Sequence, residues 1–276
     1  YNTTNNTNLL KFTGVNNTET IKFKNIEFCF AGEYAINITN AKQVDIIDCT
    51  LKFNGWNGTG LRTTSPSTSS SLGYNTSNPG DLQDFYTNTI QSLDGGGIYI
   101  NNTTIVQIIG NRIQKCYNPI KLINCGINGN GFITRNIIGE NIQSGIYLGT
   151  DNDTGCENMT VSMNYSSYNA NTGISIIGGI NNKFSQNEIN GNWNAGFYNS
   201  RAVNTTFRDC GLYNNNRTIY NGIGEQTVKS KASIVIDEAL STTPGEISIN
   251  TDATFIIEVL DTQVHYTGID TSSNTS

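Results

Sequence analysis

Gly97-Ile98-Tyr99-Ile100, followed by Ile108-Ile109-Gly110-Asn111, sets a pattern that much of the chain repeats. The first half recurs as Pro119-Ile120-Lys121-Leu122, Gly145-Ile146-Tyr147-Leu148, Gly173-Ile174-Ser175-Ile176 and Gly196-Phe197-Tyr198, with starts 22, 26, 28 and 23 residues apart. Ala35-Ile36-Asn37-Ile38 fits the same template upstream. The second half recurs as Ile133-Thr134-Arg135-Asn136, Val161-Ser162-Met163-Asn164, Phe184-Ser185-Gln186-Asn187 and Phe207-Arg208-Asp209-Cys210. Ile46-Ile47-Asp48-Cys49 belongs with these, and Lys22-Phe23-Lys24-Asn25 fits less closely. The column at 25, 49, 111, 136, 164, 187 and 210 therefore advances by 24, 62, 25, 28, 23 and 23 residues.

Short apolar strands at such a period, with no helical segment between them, predict an all-β coil. Each turn contributes two or three strands to parallel sheets that run along the coil axis. One turn cannot bury its apolar side alone, but stacked turns share a continuous core. Residues two apart share a strand face, so Ile98, Ile100, Ile120, Leu122, Ile146, Leu148, Ile174, Ile176 and Phe197 are expected to point inward. Asn111, Asn136, Asn164 and Asn187, continued by Cys210, are expected to stack as an internal ladder. Each Asn is read as taking the left-handed conformation at a tight corner while its amide bonds to the next turn. Cys is small and tolerates burial in the same column. Gly before each first strand is read as permitting the other corner. A propeller would need a period nearer ~40–50 residues.

Composition agrees with an all-β chain rich in turns. Only 14% of residues are charged and 36% are hydrophobic, while Asn numbers 42 and Gly 28 against 4 Pro. Asn, Thr and Gly are poor helix formers, and Ile, Thr, Tyr and Phe favour strands. The net charge is −6 and no run of Lys or Arg occurs, which argues against a nucleic-acid-binding face. No apolar stretch approaches the ~20 residues of a membrane-spanning helix. Tyr1 in place of a starting methionine reads as a processed chain or a segment of a longer one. The cysteines at 29, 49, 116, 125, 156 and 210 form no CxxC pair, and His265 is the single histidine, so structural zinc is not expected. An even count permits three disulfides in an extracellular setting, and buried free thiols fit equally well.

Three breaks interrupt the rhythm. The 62-residue step holds one period plus an insertion at about 58–95, rich in Ser, Thr and Gly. Trp56, Tyr74, Phe85 and Tyr86 lie at or within it and, with Trp193, are candidates for packing on the wall or stacking on sugar rings. The second break, Gly149 to Glu157, places Asp151, Asp153 and Glu157 on a turn, a candidate calcium set that lacks the full repeat of a calcium loop. After Gly224, Ala232–Ile236, Glu246–Ile249 and Phe255–Val259 read as a small antiparallel cap. The expected organisation is an irregular segment 1–19, a coil 20–225, and a cap or assembly segment 226–276 with a flexible tail.

The G-I-x-I strand followed by an apolar-x-x-Asn strand resembles the right-handed parallel β-helix repeat of pectate-lyase-like enzymes, alginate epimerases and viral fibre and tailspike proteins. The resemblance implies a single-stranded right-handed solenoid over roughly 20–225. It fixes the fold better than the function. Hydrolases resembling polygalacturonase combine an NTD run, an adjacent Asp pair, a GHG turn and an RIK turn, and this chain does not carry that set. The DPHE run of the epimerases is absent. Weak catalytic candidates are Glu140, Asp151 and Asp153, with Arg135 and Arg208 sharing equivalent or neighbouring column positions. The leading expectation is a non-enzymatic surface fibre or spike, on a virion or in the extracellular space, that contacts host-surface or cell-wall polysaccharide without a cofactor. It is expected to self-associate, as a trimer for instance, or to meet other surface proteins. The alternatives are a polysaccharide lyase, hydrolase or epimerase, and an adhesin or purely structural wall element. N-x-S/T sequons recur from Asn2 to Asn274, although Asn164 belongs to the expected ladder and should escape glycosylation.

Overall fold

The computed structural model describes residues 8–55, 95–149 and 155–215 in full. It also describes the backbone of the strands Ile219–Asn221, Thr227–Ala232, Val235–Asp237, Ile247–Ser248 and Thr254–Val259. Trp56, Tyr74, Phe85, Tyr86, Asp151, Asp153, His265 and nearly all of the insertion lie outside the described residues.

Among the described residues the strands form three parallel sheets of nine, nine and eight strands. Every third strand in sequence joins the same sheet, so one turn of the coil contributes one strand to each. The turn that decides the register runs from Gly96–Asn101 in the first sheet, through Ile105–Ile109 in the second, to Arg112–Gln114 in the third. Across the 62-residue step the coil resumes without a slip, with Ile36 opposite Ile98 and Ile38 opposite Ile100. Gly55 and Gly95, which flank the insertion, are in contact, since a Cβ on Gly95 would stand 3.0 Å from Gly55 Cα. The excursion therefore leaves and re-enters the coil at one point.

The core follows the alternation of the strands. Ile98, Ile120, Ile146, Ile174 and Phe197 stack rung upon rung, as do Ile100, Leu122, Leu148 and Ile176. All nine are fully buried. Each such side chain contributes roughly 1.5–3 kcal/mol relative to exposure. Phe184, Phe197 and Phe207 gather at the far end of the described core, with centroids 4.4 to 6.4 Å apart.

The corners differ from the sequence reading. The ladder asparagines do not adopt the left-handed conformation. The residue before each does: Asp48, Gly110, Arg135, Met163, Gln186 and Asp209 have φ between 51° and 70°. The turn divides two tasks between two residues, one bending the backbone with its side chain outward and the next holding an amide inside. The glycines before the first-sheet strands are also needed for a different reason. Gly145 and Gly173 have ordinary φ, but a Cβ on either would stand 2.3 Å from a neighbouring side-chain atom, Ser166 Oγ or Ile189 Cγ2. Close approach, not handedness, demands glycine there. Asn25 is out of register by one position, because Phe23 pairs with Ile46, and Ile26 takes the column site below Cys49.

The ladder also extends past the expected 20–225 span. Leu10–Thr13 already pairs with Tyr34–Thr39. Among the described strands beyond 225, Thr227–Ala232 pairs in parallel with both Thr205–Arg208 and Thr254–Val259. Val235–Asp237 and Ile247–Ser248 likewise continue the third and first sheets in parallel. Turn signals between short strands do not distinguish a hairpin from a further rung.

Candidate functional site

Two polar columns lie inside the coil. In the first, Asn111 Nδ2 donates to Asn136 Oδ1 at 3.0 Å, Asn136 to Asn164 at 2.9 Å and Asn164 to Asn187 at 3.0 Å. Cys49 N donates to Asn111 Oδ1 at one end, and Asn187 Nδ2 reaches Cys210 Sγ at the other. The second column stands at the corner between the third and first sheets. There Asn141 donates to Asn169, Asn169 to Asn192 and Asn192 to Asn215, all at 2.8 or 2.9 Å. Asn54 and Cys116 continue it, with Asn54 Nδ2 3.7 Å from Cys116 Sγ. Sequence reasoning missed this column. Its steps of 62, 25, 28, 23 and 23 residues repeat those of the first, and that echo was the available signal. Both columns are buried and serve the wall.

The six cysteines are free thiols, and all but Cys29 are buried. Burial pushes Cys116 up to about 12 and Cys210 up to about 11, and holds Cys125 well above the usual thiol range, with Cys156 beside it adding to the effect.

The outer walls carry what a ligand would meet. On the first sheet the middle residue of each strand points outward, giving a row Asn37, Tyr99, Lys121, Tyr147, Ser175, Tyr198. Neighbours in such a row are ~4.8 Å apart. Lys121 Nζ lies 5.9 Å from the centre of the Tyr99 ring, and Tyr34 packs on its other side at 5.1 Å. The four aromatic and Lys side chains, Tyr99, Lys121, Tyr147 and Tyr198, are half-buried. Ser175 shares a hydrogen bond of 2.9 Å with Ser144. Both excursions border this sheet. The insertion re-enters at Gly95, just before the strand that carries Tyr99. The Asp151 turn departs after Gly149, the last residue of the strand that carries Tyr147.

The third sheet and its corner hold the other candidates. Glu140 pairs with Lys115 at 3.4 Å, and Lys115 lies over Phe53 at 5.8 Å. Phe53 stacks on Phe30 with centroids 5.3 Å apart. Glu188 accepts a hydrogen bond from the Tyr213 hydroxyl, and Asn190 donates to the Tyr165 hydroxyl at 2.8 Å. Trp193 is 39% exposed at the same corner. The structure does not bring the weak catalytic candidates together. Arg135 and Arg208 are exposed in neighbouring columns three rungs apart, and Arg208 pairs with the adjacent Asp209 at 3.8 Å. Glu140 and Glu188 are two rungs apart, ~9.6 Å along the axis, and three residues apart across it. Glu157 forms an isolated bridge with Ile180. One fragment of the hydrolase set does occur, since Asn250-Thr251-Asp252 spells the NTD run. It stands without the Asp pair, GHG or RIK and lies outside the described residues.

A family model described as right-handed β-helix region matches residues 96–250, more than half of the chain. No characterised protein matches the chain at a significant level.

Proposed function

The chain belongs to the right-handed β-helix family, and from that premise we propose that it is a non-enzymatic recognition module of a surface fibre or spike, binding host-surface or cell-wall glycans along its first sheet. The observation that carries this reading is the outward row Tyr99, Lys121, Tyr147 and Tyr198, with buried Ser175 between the last two, bordered by both excursions. Tyrosines offer a broad apolar face and a hydroxyl, which suits a sugar's C–H face and its hydroxyl rim. They recur on every second rung, ~9.6 Å apart along the axis, so a linear chain lying parallel to the axis would meet a repeating surface. Loops projecting from a rigid solenoid are where recognition concentrates.

The test is binding of the whole chain to a panel of surface polysaccharides, followed by titration of the best one. Tyr147→Ala is expected to weaken binding about tenfold, ~1.4 kcal/mol, with an unchanged far-UV spectrum. Replacing residues 62–92 with a short Gly linker should leave a folded β-rich protein with weakened binding, because the insertion closes on itself at Gly55 and Gly95. Unchanged affinity in both variants sinks the proposal. Release of new reducing ends or unsaturated products by the wild type would replace it with an enzymatic reading.

A further inference from the structure

Cys125 and Cys156 occupy one inward column on consecutive rungs. Glu157 N donates to Cys125 O at 2.9 Å, which sets Cys156 directly above Cys125. Their side chains repeat one another: Cys125 Sγ lies 3.5 Å from Ile100 O and Cys156 Sγ lies 3.4 Å from Leu122 O. Ile100 and Leu122 are themselves paired across adjacent first-sheet strands. Both cysteines are fully buried, and both lie at a corner outside the strands. Thr103 and Gly179 fill the same column on either side. None of the other four cysteines has a cysteine above or below it. Cys49 and Cys210 sit in the first asparagine column with four asparagines between them, Cys116 sits in the second, and Cys29 ends a third-sheet strand.

We infer that Cys125 and Cys156 are a modification site: they form an inter-rung disulfide that staples consecutive turns at the corner from which the Asp151 excursion departs. Adjacent rungs place Cα atoms ~4.8 Å apart, within the ~4.4–6.8 Å range that a disulfide spans. The oxidant is a low-molecular-weight disulfide such as oxidised glutathione. The Cys125 thiolate attacks one of its sulfurs and expels a glutathione thiolate, giving a mixed disulfide. The Cys156 thiolate then attacks Cys125 Sγ, forming the protein S–S bond and expelling the second glutathione. Two protons leave the cysteines and end on two glutathione thiols, and the two electrons reduce the reagent. Burial keeps both thiols away from reagent in the closed coil, so the bond forms during folding or on local opening of the corner. The inference does not depend on the glycan-binding reading.

The experiment refolds the full chain in a glutathione redox buffer, blocks free thiols and maps the products by peptide mass spectrometry. The expected product has four blocked thiols in place of six and a cross-linked peptide pair containing Cys125 and Cys156. Its melting temperature should exceed that of the reduced protein by several degrees. C156S should keep five blockable thiols and lose the shift, while C29S should form the bond like the wild type. Because the mapping is done on the wild type, a variant that fails to fold does not decide the outcome. Six free thiols after oxidative refolding, or a cross-link joining any other pair, overturns the inference.

Discussion

The two asparagine columns run through the same rungs at two different corners, and they differ in how each is built. The first follows strands of three to five residues, Gln43–Ile47 and Ile105–Ile109 being among the longest, and has cysteine at both ends, at Cys49 and Cys210. The second follows three-residue strands such as Ile137–Gly139 and Glu188–Asn190 and has cysteine near one end, between Asn54 and Asn141. Both place a left-handed residue before the column. At the first corner it is Arg135, Met163 or Gln186, and at the second it is Lys115, Glu140 or Tyr168. A left-handed non-glycine residue costs ~1–2 kcal/mol, and here its identity hardly matters. The inner position, where an amide or a small thiol must sit, is the constrained one. These corners are therefore specified from inside the coil, and their outward residues are left open to other uses.

The largest expected effect comes from breaking a column. Asn136 Oδ1 accepts from both N and Nδ2 of Asn111, and its own Nδ2 donates to Ile108 O and Asn164 Oδ1. Asn136→Leu strands several buried groups at ~1–3 kcal/mol each, so denaturant unfolding should show a loss of at least ~3 kcal/mol. Asn169 is equally buried and bonded to Asn141, Asn192 and Ser166. Asn169→Leu should therefore cost a similar amount. A variant at Asn169 that keeps wild-type stability would show that the second corner is held by its strands and not by its amides.

The contrast between the columns also explains what the sequence made legible. The first column stands out because each asparagine ends a strand of visible apolar pattern, Ile108-Ile109-Gly110-Asn111 being the clearest. The second hides behind strands too short to show alternation, such as Tyr165–Ser167. Core positions were legible because Ile98 and Ile100 repeat as a pair in the following rungs. Tyr99 between them was equally visible, but an outward position carries no packing constraint that a pattern can report. The role of Arg135 or Met163 in bending the chain could not be read at all, since neither residue type favours positive φ. The antiparallel reading beyond 225 rests on turn signals, and strand-forming residues do not state whether their neighbour runs parallel or antiparallel.

A smaller and opposite effect should follow from completing the columns. Sulfur is a weak acceptor, and the side-chain amide bonds that end on Cys116 and Cys210 measure 3.7 Å. Cys116→Asn would give Asn54 Nδ2 an oxygen acceptor and place a second donor near Leu51 O, which the thiol contacts at 3.8 Å. A gain of ~0.5–1.5 kcal/mol is expected by denaturant unfolding. Cys210→Asn should gain less, because it meets Asn187 on one side, whereas Cys116 lies between two asparagines. A loss at Cys116 would mean that the column at that rung is sized for sulfur.

A further contrast separates the two cysteine sites by pH. Burial raises Cys116 from 9.0 to about 12 and Cys210 from 9.0 to about 11. A thiol with a raised pKa in the folded chain stays protonated there while the unfolded chain ionises. Above pH 9 the unfolded state then binds fewer protons than the native state, and stability falls as pH rises. The contribution of each thiol is fully present below pH 9 and is lost up to about pH 11 for Cys210 and about pH 12 for Cys116. Cys116→Ala removes its share of that slope and Cys210→Ala removes a smaller one. Unfolding free energies for each variant and the wild type should therefore run parallel from pH 7 to 8 and converge above pH 9, over a wider pH range for Cys116→Ala. Parallel curves up to pH 11 would show that water reaches these thiols in the folded coil, and that the inner column is less dry than its packing implies.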